Sequence, residues 1–454
     1  MNINGKIMRN VLVVGAFGKT GIAVINYLVK KGFKVKATDM KKEIPDELKN
    51  ISNIEYYLGA HNENLLNNID FVIISPGVPS NISIILKAKK MSIPVLSEIE
   101  LAYREFPYNW VGITGTDGKS TTTALTGTIL KEERENIVVG GNIGEPLIEK
   151  LVDVPKDTIV VSELSSFQLE NIINFKPFIG TLLNISQDHL DRYNSMEEYV
   201  LAKFNLFKNQ TEKEFSIFNF RDEISKNYIN KVKSKKYFFS RYSIPDRGAY
   251  FKEGKFFWKN GEKIEEIADE QDMKIYGEHN KENILAAITI AKLFNIKNEK
   301  IKKGIRKFKG LEHRMEFVAE IQGRRFINDS KATTVSSVRM SISSINGKGI
   351  IIMGGKDKGL DFSLLDDVLS AKAKYLILTG EAKQKIKNSI KFDRKKIVDA
   401  DSFEGAVIKA FKLSEYGDTI LLSPGCASFD MFKNFEERGR KFKEIVYNLK
   451  KEFQ

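Results

Sequence analysis

The sequence predicts an α/β protein of three domains, each built on a mainly parallel sheet. Two observations carry that expectation. At 454 residues the chain exceeds what one hydrophobic core organises, and roughly 100 to 200 residues per domain gives about three. Throughout it, short apolar runs end in glycine turns and are followed by stretches with helical periodicity, the mark of strand, turn, helix units. The densest unit is WVGITGTDGKSTTT, Trp110 to Thr123.

That stretch reads as a phosphate cradle. Turn glycines let backbone N–H groups approach an anion, a helix N-terminus adds partial positive charge, Lys119 adds a full charge, and Ser120 or Thr121 can hold Mg²⁺. The common G-x-x-x-x-G-K-[ST] spacing would put a glycine at position 113. The chain has Ile113 there, and its glycines are Gly112, Gly115 and Gly118. The competing reading is a chance glycine turn in a Lys-rich chain, but the strand, turn, lysine and hydroxyl pair occur in the order a cradle requires.

Hydrophobic residues at 42% and charged residues at 29% exclude the signature of disorder. The formal charge of +13 is scattered through every segment, so it suits anionic small substrates better than a nucleic-acid partner. Cys426 is the only cysteine, which excludes an intrachain disulfide and a multi-cysteine metal site and fits a reducing, cytoplasmic setting. No apolar run approaches the roughly 18 residues of a membrane span. The N-terminal apolar run ends at Gly15 without a small-residue cleavage signal. A soluble protein without a membrane span is expected.

In chain order, Val11 to Val14 runs into GAFGKTG, Gly15 to Gly21, and a helix with Ile22, Ile25, Leu28 and Val29 on one face. A second strand ends in Asp39, near the acidic position that binds a ribose in dinucleotide folds, although the spacing is not G-x-G-x-x-G. A third, Phe71 to Ile74, enters Ser75-Pro76-Gly77. These turns are either ligand contacts or tight connections. The pattern makes residues 1–106 a Rossmann-like domain, with Ala102 to Pro107 as a linker.

Residues 107–310 form the expected P-loop-type ATPase domain. A strand at Thr158 to Val161 leads to Glu163, and a strand at Ile179 to Leu183 leads to Asn184, Asp188, His189 and Asp191; carboxylates and a histidine at two strand ends on the side where the cradle is expected suit Mg²⁺ and phosphate. Lys203 lies on a helix whose Tyr199, Ala202 and Phe207 face inward, and periodicity alone makes it a solvated lysine. YFKEGKFFWKNG reads as a hairpin, and Gly277 to Phe294 as an amphipathic helix with Asn280 and Asn283 at one end, where a nucleotide can touch them. Residues 311–454 restart the strand, turn, helix pattern as a second Rossmann-like α/β domain; strand ends present Lys331, Lys358 and Ser428, either an anion pocket or solvated surface groups.

GTDGKST, GNIG, ELSSFQLE, DHLDRY, HNKEN, HRME, NDSKATT, GGKDKG and SPGCASFDMFKNFEERG together resemble the Mur ligase family over essentially the whole chain. The last two resemble its D-glutamate-adding branch, and the DNPR-type signature of the diamino-acid-adding branch is absent. The resemblance implies that the ATP-contacting residues are Gly115, Thr116, Asp117, Gly118, Lys119, Ser120, Thr121, Asn283, Arg314 and Asp329. It implies a metal and catalytic set of Lys119, Ser120, Glu163, His189 and Lys203, with Mg²⁺ and a carbamylated Lys203, against the solvated-lysine reading. Thr20, Asp39, Lys41, Ser75, Gly77, Asn142, Ser165 and His189 match the UDP-substrate site, and Lys331, Thr333, Lys358, Ser428 and Phe435 the D-glutamate pocket. GAFGKTG replaces a GLGxTG-like turn, and Lys41 stands where Arg is common and cannot reproduce its planar fork.

The implied reaction joins D-glutamate to UDP-N-acetylmuramoyl-L-alanine through an acyl phosphate made with ATP, with the third domain closing over the second, in a protein expected to act as a monomer. Two rivals stand beside it: a ligase for another amino acid, such as a folylpolyglutamate synthetase, and a nucleotide-gated interaction protein that joins nothing.

Overall fold

The computed structural model describes residues 2–3, 6–142, 144–186, 192–275, 277–357 and 359–453. The chain folds as two compact units, Met1–Asp272 with Lys281–Lys307, and Met273–Asn280 with Phe308–Gln454.

Two large sheets build the first unit. One has five parallel strands in the order Ile54–Leu58, Lys34–Asp39, Asn10–Val14, Phe71–Ile74, Val95–Leu96. Its central strand is buried on both faces, which is why Val11 to Val14 is an unbroken apolar run rather than an alternating one. The other has nine strands: Lys263–Asp269, Lys255–Asn260, Arg247–Lys252, Lys235–Ser240, Phe215–Asn219, Ile179–Leu182, Asn109–Thr114, Ile159–Glu163, Ile137–Gly141. The first two pairings in this order are antiparallel and the rest parallel. Glu253 and Gly254, both at positive φ, close the expected hairpin between Arg247–Lys252 and Lys255–Asn260, as a two-residue turn of that hand requires.

Two expectations are corrected. The linker reading of Ala102 to Pro107 fails because helix Glu98–Glu105 runs into it, with Ser97 accepting from Glu100 N–H and Ile99, Leu101 and Ala102 buried. This helix fastens the two sheets together. Buried Glu100 accepts the backbone N–H groups of Ile173, Asn174 and Phe175 at 2.8 to 3.0 Å, and Glu98 accepts that of Ile148 at 2.7 Å. The second correction concerns helix His279–Leu293, which is not amphipathic. Residues 284–291 are all buried because apolar side chains occupy every face rather than a stripe.

The second unit has one six-stranded sheet: Glu316–Ile321, Arg324–Asn328, Thr419–Leu422, Gly349–Gly354, Ala373–Thr379, Ile397–Asp399, with only the first pair antiparallel. Along Gly349–Gly354, Ile351 and Met353 join one core with Val338 and Ile342, while Ile350 and Ile352 join another with Phe326 and Phe442. The two-residue period of the strand thus fills both faces.

Candidate functional site

Strand Asn109–Thr114 lies between Ile159–Glu163 and Ile179–Leu182, so three parallel carboxyl ends stand side by side, the place where open α/β sheets bind ligands. Gly118 adopts φ +81° at the N-cap of helix Lys119–Leu130, and a Cβ there would fall 2.3 Å from Asn283 Oδ1; only glycine fits. Asn283 Oδ1 accepts from Thr122 Oγ1 at 3.1 Å. Lys119 Nζ folds back onto Gly115 O at 2.9 Å and Thr116 O at 2.7 Å. Asn184 clamps Asp117, accepting its N–H at 2.8 Å and donating to its carbonyl at 3.2 Å. Thr116 Oγ1 meets Tyr199 OH at 3.1 Å. Ser120 and Thr121 are buried in the first turn of the helix. The structure therefore assembles Gly115 to Thr121 with Asn283.

Glu163 closes its strand beside this loop. Its Oε1 accepts from Asn142 Nδ2 at 2.9 Å, and Asn142 N donates to the Glu163 carbonyl at 2.8 Å. Glu163 Oε2 is buried with no hydrogen-bond partner among the described residues. A buried carboxylate oxygen that lacks a donor suits a hard cation. Mg²⁺ bound by one carboxylate, a hydroxyl such as that of Ser120 and phosphate oxygens needs no larger protein cage.

Lys203 is buried, which overturns the solvated reading. It sits on helix Met196–Phe204, four residues after buried Tyr199, so the two share a face. Its Nζ donates to Gly115 O at 2.8 Å and lies 4.6 Å from the Tyr199 ring centroid. His189, with Asp188 and Asp191, lies outside the described residues.

A cleft of about 440 Å³ at the carboxyl edge of the five-stranded sheet brings together Thr20, Asp39, Lys41, Ser75, Gly77 and Asn142. Asp39 organises it, accepting from Phe17 N–H at 2.8 Å and Lys41 N–H at 3.0 Å, while Ser75 Oγ donates to Gly15 O at 2.7 Å. Ser165 is not among the lining residues; it caps helix Ser166–Glu170 in a capping box with Gln168, which does line the cleft. Lys19 lines it too and donates to Gly144 O at 3.0 Å. The sequence reading missed both, although a lysine directly after Gly18 in GAFGKTG was a usable signal.

The second unit gathers another set at the carboxyl ends of Arg324–Asn328 and Thr419–Leu422. Asp329 accepts from Met315 N–H at 3.1 Å and from the Ser341 hydroxyl. Burial pushes its carboxyl up to about 6 despite Arg314 and Lys331 nearby. Arg314 lies between His313 and Met315, both at positive φ, an unusual pair of conformations for side-chain-bearing residues. Lys331 Nζ stands 5.8 Å from the Phe435 ring centroid, Thr333 is half-buried two residues on, and Ser428 is buried. Lys358 lies outside the described residues. The sequence reading missed Arg438, which is 1% exposed and donates to Ser330 Oγ at 3.0 Å, Ser330 O at 2.8 Å, Cys426 O at 3.2 Å and Ala427 O at 3.3 Å. Ser330 Oγ in turn donates to Phe435 O at 2.8 Å, so one guanidinium knits the three segments that carry Lys331, Ser428 and Phe435.

Comparison with known proteins agrees along the chain. Family models match as "Mur ligase MurD-like, N-terminal domain" at residues 9–97, "Mur ligase middle domain" at 113–291 and "Mur ligase, glutamate ligase domain" at 313–426. A protein of Caldanaerobacter subterraneus subsp. tengcongensis named UDP-N-acetylmuramoylalanine–D-glutamate ligase is 41% identical, over 98% of this chain and 99% of its own. A Clostridioides difficile protein of the same name is 41% identical over 99% and 100%. Among solved structures, the UDP-N-acetylmuramate–alanine ligase of Thermotoga maritima shares the fold, with a TM-score of 0.60 at 19% identity over 98% of this chain and 100% of that one. With a glycine and lysine cradle beside a metal-ready carboxylate, and relatives this similar from end to end, the chain belongs to the Mur ligase family.

Proposed function

We infer that this chain joins D-glutamate to UDP-N-acetylmuramoyl-L-alanine in the cytoplasmic assembly of peptidoglycan precursors: the substrate carboxylate takes the γ-phosphoryl group of ATP, ADP leaves, and the resulting acyl phosphate is opened by the amine of D-glutamate. The observation that carries this reading is the 41% identity, spanning both chains almost completely, to ligases named for that reaction.

Roles follow from chemistry. The cradle N–H groups and Lys119 hold the transferring phosphoryl group of ATP, with Asn283 beside them. Phosphoryl transfer needs positioning and charge stabilisation more than covalent help, and backbone donors with one ammonium supply both. Glu163 and Ser120, with His189, would hold Mg²⁺, which supplies charge neutralisation when bound. The cleft of Thr20, Asp39, Lys41, Ser75, Gly77 and Asn142 takes the uridine nucleotide, with Ser165 and His189 toward the muramoyl end. Arg314 and Asp329 contact ATP. Lys331, Thr333, Lys358, Ser428 and Phe435 bind the D-glutamate carboxylates and orient its amine, which displaces phosphate from the acyl phosphate. Holding amine and acyl group together replaces a bimolecular encounter, a large part of the barrier.

Burial of Lys203 beside the Gly115 carbonyl supports its carbamylation. Desolvation favours the neutral amine that adds CO₂, and the carbamate gains two oxygens able to face a cation. The domain division at 106/107 and 310/311 goes with this reading: nucleotide sugar, ATP and amino acid each have a domain.

The test is the product mass from a mixture of ATP, Mg²⁺, UDP-N-acetylmuramoyl-L-alanine and a panel of amino acids. A single product carrying D-glutamate is expected. Equal use of another amino acid, or ATP hydrolysis indifferent to both substrates, overturns the reading.

A further inference from the structure

Arg192 is not itself among the residues lining the nucleotide cleft, yet it grips two that are and bridges the cleft's two walls. One wall is the turn Ser75 to Val78 at the end of strand Phe71–Ile74; the other includes Gln168 of helix Ser166–Glu170. The Arg192 guanidinium donates from Nη1 to Pro76 O at 2.8 Å and from Nη2 to Val78 O at 3.0 Å. On its other side it lies 3.8 Å from the Phe167 ring centroid, with Nη2 3.7 Å from Glu170 Oε2. Phe167 and Glu170 flank Gln168 on that same short helix.

The support behind this bridge is dense. Glu170 also accepts from Tyr193 OH at 2.6 Å and from Ser80 Oγ at 2.5 Å, and Asn171 Nδ2 donates to Ser80 Oγ at 3.0 Å. The turn itself has little slack. Ser75 Oγ donates to Gly15 O, Val78 N–H donates to Ser75 O at 3.0 Å, and a Cβ on Gly15 would stand 2.5 Å from Val78 Cγ2. A shift of the turn therefore moves the GAFGKTG backbone with it.

We propose that Arg192 is a positioning residue for the nucleotide-sugar substrate, holding the Ser75 to Val78 turn in register with the helix that carries Gln168. This deepens the function inferred above and rests on that reading for the identity of the ligand. The chemistry calls for arginine: two carbonyls are met by a planar fork while the guanidinium face stacks on an aromatic ring, and an ammonium supplies neither geometry.

Arg192→Lys tests this, with binding of UDP-N-acetylmuramoyl-L-alanine measured by calorimetry without ATP, steady-state KM values for all three substrates, and amide hydrogen exchange of the ligand-free enzyme. About tenfold weaker binding and higher KM for the UDP-linked substrate are expected, KM for D-glutamate staying within twofold, with the Val78 amide exchanging several-fold faster. Wild-type affinity together with wild-type protection at Val78 overturns the proposal, and so does an equal rise in all three KM values, the mark of a merely structural role. If Arg192→Lys fails to fold, Glu170→Gln leaves the arginine in place but weakens its brace, and a smaller shift in the same direction is expected; none overturns the proposal. Wild-type enzyme that does not bind the UDP-linked substrate would sink the functional reading, while exchange at Val78 still decides what Arg192 holds.

Discussion

Asp329→Asn separates stability from function in a way the structure quantifies. An aspartate carboxyl ordinarily titrates near 3.8, and burial lifts this one to about 6. The gap of roughly two units corresponds to about 3 kcal/mol at most. The sign follows from proton linkage. Above pH 6 the carboxylate is charged in both states, and the full penalty for burying it falls on the folded protein. Between pH 6 and 4 the folded state holds a proton the unfolded chain has released, so wild-type stability rises as pH falls. Asparagine removes this titration and keeps one oxygen for Met315 N–H. The variant's advantage over wild type should therefore be largest near pH 8 and shrink toward pH 4.5 by the equivalent of about 2 kcal/mol, or roughly 6 °C in Tm at ~3 °C per kcal/mol for a unit of this size. At pH 8 its KM for ATP should nevertheless rise, because the group removed is a proposed nucleotide contact. Calorimetric melts across that pH range are the assay. A Tm difference between the two proteins that stays constant with pH would refute the argument.

Four further outcomes are expected. Lys119→Ala should lose activity several hundred-fold, the scale of removing a preorganised electrostatic donor, and a folded variant with near-normal turnover would remove the cradle from the mechanism. Lys203→Ala should be nearly inactive and partly restored by added short carboxylic acids; full activity without them returns the residue to a structural role. For Ser428→Ala, KM for D-glutamate should climb while KM for ATP holds, and steady-state kinetics showing the reverse would move Ser428 out of the amino-acid pocket. Arg438→Met leaves the buried carbonyls of Ser330, Cys426 and Ala427 short of donors, at a cost of about 3 to 5 kcal/mol, so an unchanged denaturation midpoint would contradict its knitting role.

Much of the fold was legible because its signals are local. Val11 to Val14, Phe71 to Ile74 and Gly349 to Met353 are apolar runs bounded by glycine turns, and each is a strand of a parallel sheet. Where the reading failed, tertiary burial decided. Helix His279–Leu293 has apolar residues on every face, so its polar opening residues suggested an amphipathic helix that packing does not honour. The helix at Glu98 was hidden because its partners are distant backbone N–H groups, a contact that spacing does not encode. Lys203 was misread for a different reason: its i,i+4 relation to Tyr199 placed it on the buried face, but its charge argued for solvent.

Arg192 and Arg438 show where such reading stops. A buried or half-buried arginine is usually sought through a carboxylate partner, since ion pairs leave a sequence trace as two charged residues. Arg438 makes its described hydrogen bonds to Ser330 Oγ and to the carbonyls of Ser330, Cys426 and Ala427, and Arg192 donates to the carbonyls of Pro76 and Val78. Any residue type supplies a carbonyl, so these partners leave no trace in side-chain identity; only Ser330 Oγ for Arg438 and the Glu170 carboxylate, 3.7 Å from Arg192, do. Yet a guanidinium that grips the backbone constrains more than one that grips a side chain, because the chain has no rotamer with which to yield. Each arginine thereby fixes turns whose side chains carry the proposed chemistry: Lys331, Ser428 and Phe435 in one unit, Ser75 and Gly77 in the other. Losing such a residue should disturb substrate geometry through the backbone it holds.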